Sequence, residues 1–424
     1  MANLPFFTSI SIRQVNGAPP VLVKNRFAET DQILNDSPAS LIARPGMKKF
    51  IEVGTGHIRK VFSQPGVFND DLFVVSGQHL WRVTSAGVKT DLGAISADIT
   101  SGVSMCATAP IENSVPAYLF IAEGGVLSVW TDNGQAIGQL SASGSIADND
   151  TVQIDTMYYK WVSGSVDTGT PDGTSGNPWL VNRGGSNAVA LTNLFNAINA
   201  NEGIAGTDYS TATDANPSVI GYNVSSTTLY VCAIEPGTVG NAIVTTETGA
   251  NISWVAGTLQ NGGSALLRQI HVPSDAGAVS IAVINGYVIV VPNQTTDIKG
   301  RFFFIQPGEI KIDPLDFATA ERSPDGIHQV VVFGEMFWLL GQDTTEPWIT
   351  TGDQAAPVSR FQGVLYDRGT WSGSAVQVKD SLILVDQNGG VFQVASGATR
   401  ISTPDIEEPI RRALQKEALL SSFS

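Results

Sequence analysis

Some places in the sequence put two carboxylates close together, among them Asp70 with Asp71, Asp148 with Asp150, and Glu407 with Glu408. Glycoside hydrolysis needs two acids flanking a cleft, roughly 5 to 9.5 Å apart, one to protonate and one to act as base or nucleophile. Acids this close in sequence also serve as turn formers, caps and solvated charges. A glycosidase is therefore one alternative to be weighed against the structure. The four histidines, His57, His79, His271 and His328, are dispersed, and neither His-Glu-x-x-His nor Cys-x-x-Cys occurs. No Gly-Lys-Ser/Thr step is available to cradle a phosphate. The expectation is an assembly protein, not an enzyme, with no catalytic residue, no metal and no cofactor. Cys106 and Cys232 stand in apolar surroundings and read as buried free thiols, not as half of a disulfide framework.

Aromatic residues offer a second kind of chemistry. Trp161, Trp179 and Tyr222 lie in one stretch and could stack on a sugar, which would make the chain a receptor-binding adhesin; equally they could fill that stretch's own core. Trp81, Trp130, Trp338, Trp348 and Trp371 recur in similar strand contexts and read as wedges between packed sheets.

The elements that must position these residues are strands. Hydrophobic residues make up 42% of the 424, charged residues only 15%, and glycine is abundant at 43. That mixture favours β structure with many turns over helices or disorder. The net charge is −15, from 24 Lys and Arg against 39 Asp and Glu, and no basic stripe interrupts it. Tight binding of duplex DNA normally requires such a stripe to neutralise phosphates, so any DNA this chain meets should pass without being gripped. The opening Met1-Ala-Asn-Leu-Pro-Phe-Phe lacks the basic and apolar regions of a secretory signal, and no apolar run approaches the roughly 20 residues of a membrane span. Synthesis in a cytosol is expected.

Five segments share one pattern, an apolar strand, a Gly- or Asn-bearing turn and a second strand. Aligned on Leu72, Leu119, Tyr287, Met336 and Leu382, they are spaced 47, 168, 49 and 46 residues apart. Removing residues 147–263, which are small and polar in texture, turns the odd spacing into 51. A strand-built unit of about 47 residues is the signature of a β-propeller blade; a β-sandwich or a run of unrelated hairpins is the alternative. The fold expected is mainly β, propeller-like, with a small inserted α+β domain. Its parts are an N-terminal arm at 1–50, blades at 51–146, the insert at 147–263, further blades at 264–403 and a C-terminal helix at 404–424. In the insert, Leu191, Leu194, Phe195 and Ile198 share one face of an amphipathic helix expected to end at Gly203. The insert holds ten acids against two bases, Lys160 and Arg183, more than half of the chain's net charge.

Several stretches carry a family resemblance: Asn25-RFAET, Leu41-IARPGMKKF, and the long run from Asp313 through Ser323-Pro324-Asp325-Gly326-Ile327, Phe333-Gly334 and Glu346 to Trp348. They resemble the packaged-DNA stabilisation proteins, the tail hubs or tail accessory factors of short-tailed phages. The matching positions are Arg44, Pro45, Gly46, Pro324, Asp325, Gly326, Phe333, Gly334 and Glu346, with Trp348 one residue late. These are structural punctuation, not reacting groups. The insert is no part of the family's common core, and the family would continue with further strands where this sequence stops. Within the insert, Pro236-GTVGNAIVTTETGANISW and Thr258-LQNGG resemble a small module scattered through phage virion proteins. The resemblance implies a virion tail hub, a homo-oligomeric ring, typically six-fold, docked on a portal-adaptor protein. It would extend the channel toward a tail needle or tailspikes and retain the encapsidated double-stranded DNA.

Overall fold

The computed structural model describes residues 26–30, 39–43 and 49–421, apart from short stretches at 97–100, 112–114, 201–202, 296–297, 321–324, 354–355, 363, 365 and 395–396. The protein is mainly β, with seven four-stranded sheets and two α-helices among the described residues.

Five of the sheets are antiparallel meanders that follow one another along the chain, and they are numbered here as blades. Blade 1 holds Ile58–Phe62, Leu72–Ser76, His79–Val83 and Lys89–Ala94. Blade 2 begins with Ser104–Ala107, Leu119–Ala122 and Leu127–Thr131. Blade 3 holds Ala278–Ile284, Tyr287–Pro292, Arg301–Ile305 and Phe317–Thr319. Blade 4 holds Ile327–Phe333, Met336–Gly341, Thr345–Thr350 and Val358–Arg360. Blade 5 holds Val376–Val378, Ser381–Val385, Val391–Val394 and Ala398–Arg400. Of the five residues aligned by spacing, Leu72, Leu119, Tyr287 and Met336 open a second strand and Leu382 is the second residue of one. That strand is apolar on both sides because each of its faces meets a different neighbour.

Adjacent blades share one core per joint. Phe73, Val75 and Leu80 of blade 1 pack with Met105, Leu119 and Ile121 of blade 2. Phe120, Val129 and Ile270 of blade 2 pack with Ile281, Val290 and Phe303 of blade 3. Phe302 and Phe304 of blade 3 meet Phe337, Leu339 and Trp348 of blade 4, and Trp338 and Leu340 of blade 4 meet Leu382, Leu384 and Phe392 of blade 5.

The insertion sits elsewhere than the spacing implies. Blade 2 finds its fourth strand in Leu266–Ile270, which pairs with Leu127–Thr131 in register from Leu266 opposite Thr131 to Ile270 opposite Leu127. The whole lobe thus replaces the turn of one hairpin, inside a blade and not between two blades. Backbone bonds from Gly134 N to Ser264 O (2.8 Å) and from Gly263 N to Gly134 O (2.9 Å) close its neck. The strand Gln135–Ala142, ahead of the boundary read at 147, already belongs to the lobe, paired on one side with Thr228–Pro236 and on the other with Ile252–Trp254. The second lobe sheet joins Trp179–Asn182, Met157–Val162, Thr151–Ile154 and Thr245–Glu247. Helix α1, Asn187–Asn199, buries Leu191, Leu194, Phe195 and Ile198 between the sheets. Ser186 caps it by accepting from Val189 N. It stops at Asn199 and not at Gly203, because Ala200 turns left-handed at φ 50° while its N–H closes on Asn196 O. Helix α2 spans Pro404–Ser421.

Candidate interaction surfaces

The recurring polar device of this fold is a side chain on each first strand that clasps the next blade. Arg59 donates to Ser101 O through Nε (3.2 Å) and Nη2 (2.8 Å). Its Nη1 reaches the blade 2 carboxylate of Glu123 at 3.1 Å, both side chains being about 2% exposed or less. Ser104 Oγ accepts from Ile281 N at 3.1 Å, joining blade 2 to blade 3. Ser280 Oγ accepts from Val330 N at 3.1 Å, joining blade 3 to blade 4. The Gln329 amide donates to Ala375 O (2.8 Å) and accepts from Ala375 N (3.0 Å), joining blade 4 to blade 5. The long sequence gaps across these bonds hid them from the sequence; only the small or polar type at the position was visible.

The family-motif positions fall into the same kind of work. Arg44, Pro45, Gly46 and Pro324 lie outside the described residues. Asp325 accepts from Asp343 N (2.9 Å), Thr344 N (2.9 Å) and Thr344 Oγ1 (3.0 Å), pinning the turn between the second and third strands of blade 4. A side chain on Gly341 would put its Cβ 2.2 Å from Asp325 Oδ2, so the acid and the glycine are one device. Gly326 opens the first strand of blade 4 beside Gln294. Phe333 ends that strand, and Gly334 turns the hairpin at φ +66°. Glu346 is buried on the blade 3 side of blade 4, where its Oε1 accepts from Trp348 Nε1 at 3.0 Å. Trp348 meets Phe302 of blade 3 edge to face at 5.0 Å.

The paired acids are all engaged as structural acceptors. Asp71 takes Arg82 Nε at 2.7 Å, and Asp70 takes Gly66 N at 2.6 Å. Asp150 accepts from Ala147 N at 2.8 Å and Asp148 from Ser163 Oγ at 2.7 Å. Glu407 binds Arg400 and Ser402, which hold its carboxyl below the usual range, and Glu408 binds Arg411 and Arg412. Trp161, Trp179 and Tyr222, the possible sugar platform, are buried; Trp161 Nε1 donates to Ala190 O at 3.0 Å. Trp130, Trp338 and Trp348 are buried wedges between blades, whereas Trp81 and Trp371 are half-buried. Cys106 and Cys232 are free and buried, and burial pushes both thiols up. Among the described residues no group of three or more His, Cys, Asp or Glu could hold a metal, and no helix is long and apolar enough to cross a membrane.

The lobe is not only tethered. Ile220, Tyr222 and Cys232 enter the core shared by blades 2 and 3. Arg268, buried on the fourth strand of blade 2, reaches across the joint to Gln135 Oε1 at 2.7 Å and lies over the Tyr222 ring at 5.4 Å. Its Nε and Nη1 are buried without a hydrogen-bond partner. Gln135 Nε2 donates in turn to Tyr118 Oη at 3.0 Å.

Blades, clasps and wedges together define a propeller-based structural protein whose described polar groups hold sheets to sheets. The more particular assignment comes from a family model, described as Phage_stabilise, bacteriophage P22 Gp10, β-propeller, which matches residues 242–422. The match, which begins in the last part of the lobe and runs through the fourth strand of blade 2, blades 3 to 5 and helix α2, supports the phage tail hub and packaged-DNA stabilisation family that the Asp325 and Glu346 region resembles, and with it a virion setting. No curated protein matches. Among solved structures, the computationally designed Ika8 protein is 9% identical over 82% of this chain and 88% of its own, with a TM-score of 0.24. Kluyveromyces lactis Hsv2 is 8% identical over 84% of this chain and 76% of its own (TM-score 0.25). BBS1N, in its complex with ARL6DN, is 13% identical over 82% of this chain and 83% of its own (TM-score 0.29). At TM-scores this low these likenesses carry no argument.

Proposed function

We propose that this chain is a tail hub: a structural subunit that docks below the portal-adaptor ring of a short-tailed phage, closes the DNA exit channel and retains the packaged genome. The observation that carries the reading is the family match over residues 242–422, which includes blade 4, where Asp325 pins a turn and Glu346 is buried toward blade 3. The work is mechanical. A closed ring, with one heterologous contact repeated about a cyclic axis, is the simplest way for identical subunits to line a channel. With a net charge of −15, such a lining would release few counterions from duplex DNA and so let it slide. In this reading the chain performs no reaction of its own, which fits paired acids that each serve a fold contact. Its partners are the adaptor, a tail needle or tailspikes, and further copies of itself, six in the simplest scheme.

The test is electron microscopy of the full chain mixed with portal-adaptor rings from a short-tailed phage, with a gel shift on duplex DNA beside it. A ring seated on the adaptor and no sub-micromolar DNA binding in 150 mM salt are expected. A monomer that ignores the adaptor, or a stable trimer that binds glycans, would overturn the hub.

A further inference from the structure

The five blades form an arc with two unlike ends. Each of the four joints has its apolar core and its clasp, but no joint of comparable extent links blade 5 to blade 1 among the described residues. The first strands at the two ends show it. Ile58 and Val61 of blade 1 are each 51% exposed, and Val376 and Val378 of blade 5 are 52% and 44% exposed. The register puts Val376 opposite Ile383 and Val385 opposite Val391, so with Val378 these five apolar residues share the face turned away from blade 4. Among the described residues no clasp of this kind joins blade 5 to blade 1 either. Ser374, two residues ahead of the first strand of blade 5, turns its hydroxyl onto Thr370 Oγ1 (2.9 Å) and onto Val385 N (3.3 Å) and O (3.2 Å) of its own blade, whereas Ser280 and Gln329, inside the first strands of blades 3 and 4, reach the next blade.

The path of the chain says what belongs in the gap. Ile51 and Val53 lie on the outer face of blade 1, packed with Val74, Val83 and Trp81, so the polypeptide enters the first blade across the open side of the arc. Just upstream, Arg26–Thr30 and Ala39–Ala43 pair antiparallel over five positions, with Phe27 opposite Ile42. That hairpin is half a blade, as long as the strands it would join. Residues 1–48 carry five Lys and Arg against three Asp and Glu, an opposite sign to the rest of an acidic chain. We propose that the N-terminal segment, led by the hairpin Arg26–Thr30 and Ala39–Ala43, docks in the sector between blade 5 and blade 1 of its own chain and closes the propeller. Apolar sheet faces left open in this way are otherwise sites of aggregation, and closure is how propellers remove them.

The experiment is thiol labelling of the full chain. Val376→Cys and Val378→Cys are compared with Val88→Cys, a control on blade 1 that is 59% exposed. The native Cys106 and Cys232 are buried and add little background. Maleimide should react with the two blade 5 cysteines more slowly than with the control, by at least about tenfold. The protection should not change on dilution, and a maleimide reagent carrying a benzophenone arm, attached at position 378 and photolysed to insert into a neighbouring C–H bond, should link that position to the 26–43 peptide within one chain. Labelling as fast as the control overturns the proposal, as does protection lost on dilution with links between chains, which would assign the gap to a second copy. Hydrogen exchange of the unsubstituted chain answers the same question if a cysteine variant misfolds: amides of 58–62 and 376–378 exchanging at the rate of open strands sink the idea.

Discussion

The lobe and the propeller solve the same packing problem differently. In the lobe, two sheets and helix α1 enclose one core, in which Trp161, Tyr159, Leu194 and Leu229 all meet. In the propeller, four separate cores follow one another, each between two blades. A single closed core fails as a unit. A series of joints yields one joint at a time, approximating the nearest-neighbour behaviour of repeat proteins. The first kind suits a compact module that stands or falls whole, and the second a body that can yield at one joint while the others keep their shape.

The largest effects should separate the two regions. Trp161→Ala empties a fully buried site and removes the bond to Ala190 O; the expected cost is about 3–5 kcal/mol. Glu123→Ala removes the carboxylate that Arg59 Nη1 meets in the buried joint between blades 1 and 2, also at about 3–5 kcal/mol. Their spread should differ. Hydrogen exchange should rise across all of residues 135–259 in the first variant, while blades 3 to 5 stay protected. In the second, the rise should be confined to blades 1 and 2. A uniform rise in either variant would mean that lobe and propeller are one cooperative unit and would break the comparison.

Sequence reasoning reaches the serial part of this design more easily than the closed part. The spacing of Leu72, Leu119, Tyr287, Met336 and Leu382 finds every blade because each blade repeats the same local problem. The helix face through Leu191 and Ile198 is legible for the same reason, since its period is local. Nothing local marks Leu266–Ile270 as the missing strand of blade 2, because its partner Leu127–Thr131 lies on the far side of the lobe. Nor does anything local assign Gln135–Ala142 to the lobe, since its apolar residues would serve a blade equally well. Among the candidate site residues, Asp325 and Gly334 carry turn chemistry that can be read from residue type, but the burial of Glu346 against Trp348 depends on blade 3, which the strand itself does not reveal.

A smaller effect tests the seam between the regions. Arg268 is buried with one hydrogen bond, to the neutral Gln135 amide, with the Tyr222 ring facing its guanidinium and with two nitrogens lacking a hydrogen-bond partner. Replacing a poorly compensated buried cation with an apolar side chain of similar length is often neutral or stabilising. Arg268→Met should therefore change stability by no more than about 1 kcal/mol and toward higher melting temperature. Arg268→Ala, which also leaves a void against Tyr222, should lower it. If Arg268→Met is as harmful as Arg268→Ala, the guanidinium holds the lobe on the propeller by more than packing.

The smallest effect is a difference in sign under acid. Asp167, in the lobe, is held below its ordinary value of 3.8 chiefly by the hydrogen bonds from Thr211 N and Thr211 Oγ1. Its contribution to stability is present above pH 3.8 and is lost as the pH falls through the lower folded value. Asp316, half-buried beside the third strand of blade 3, is pushed above 3.8 by burial, with the Gln306 amide only partly offsetting this. Its ionised form therefore opposes folding at neutral pH, and that opposition disappears as the pH falls through the raised value toward 3.8. The two aspartates share one unfolded reference, so their substitutions should act in opposite directions at pH 7. Asp167→Asn should lower the melting temperature of the lobe, with the deficit shrinking only below pH 3.8. Asp316→Asn should raise that of the propeller, with the gain shrinking before pH 3.8 is reached. Calorimetry of both variants between pH 2 and pH 7 reads the signs directly. Shifts of the same sign at pH 7 would show that the surroundings of these two carboxylates, solvated turn and half-buried blade edge, do not govern them as the lobe and the propeller suggest.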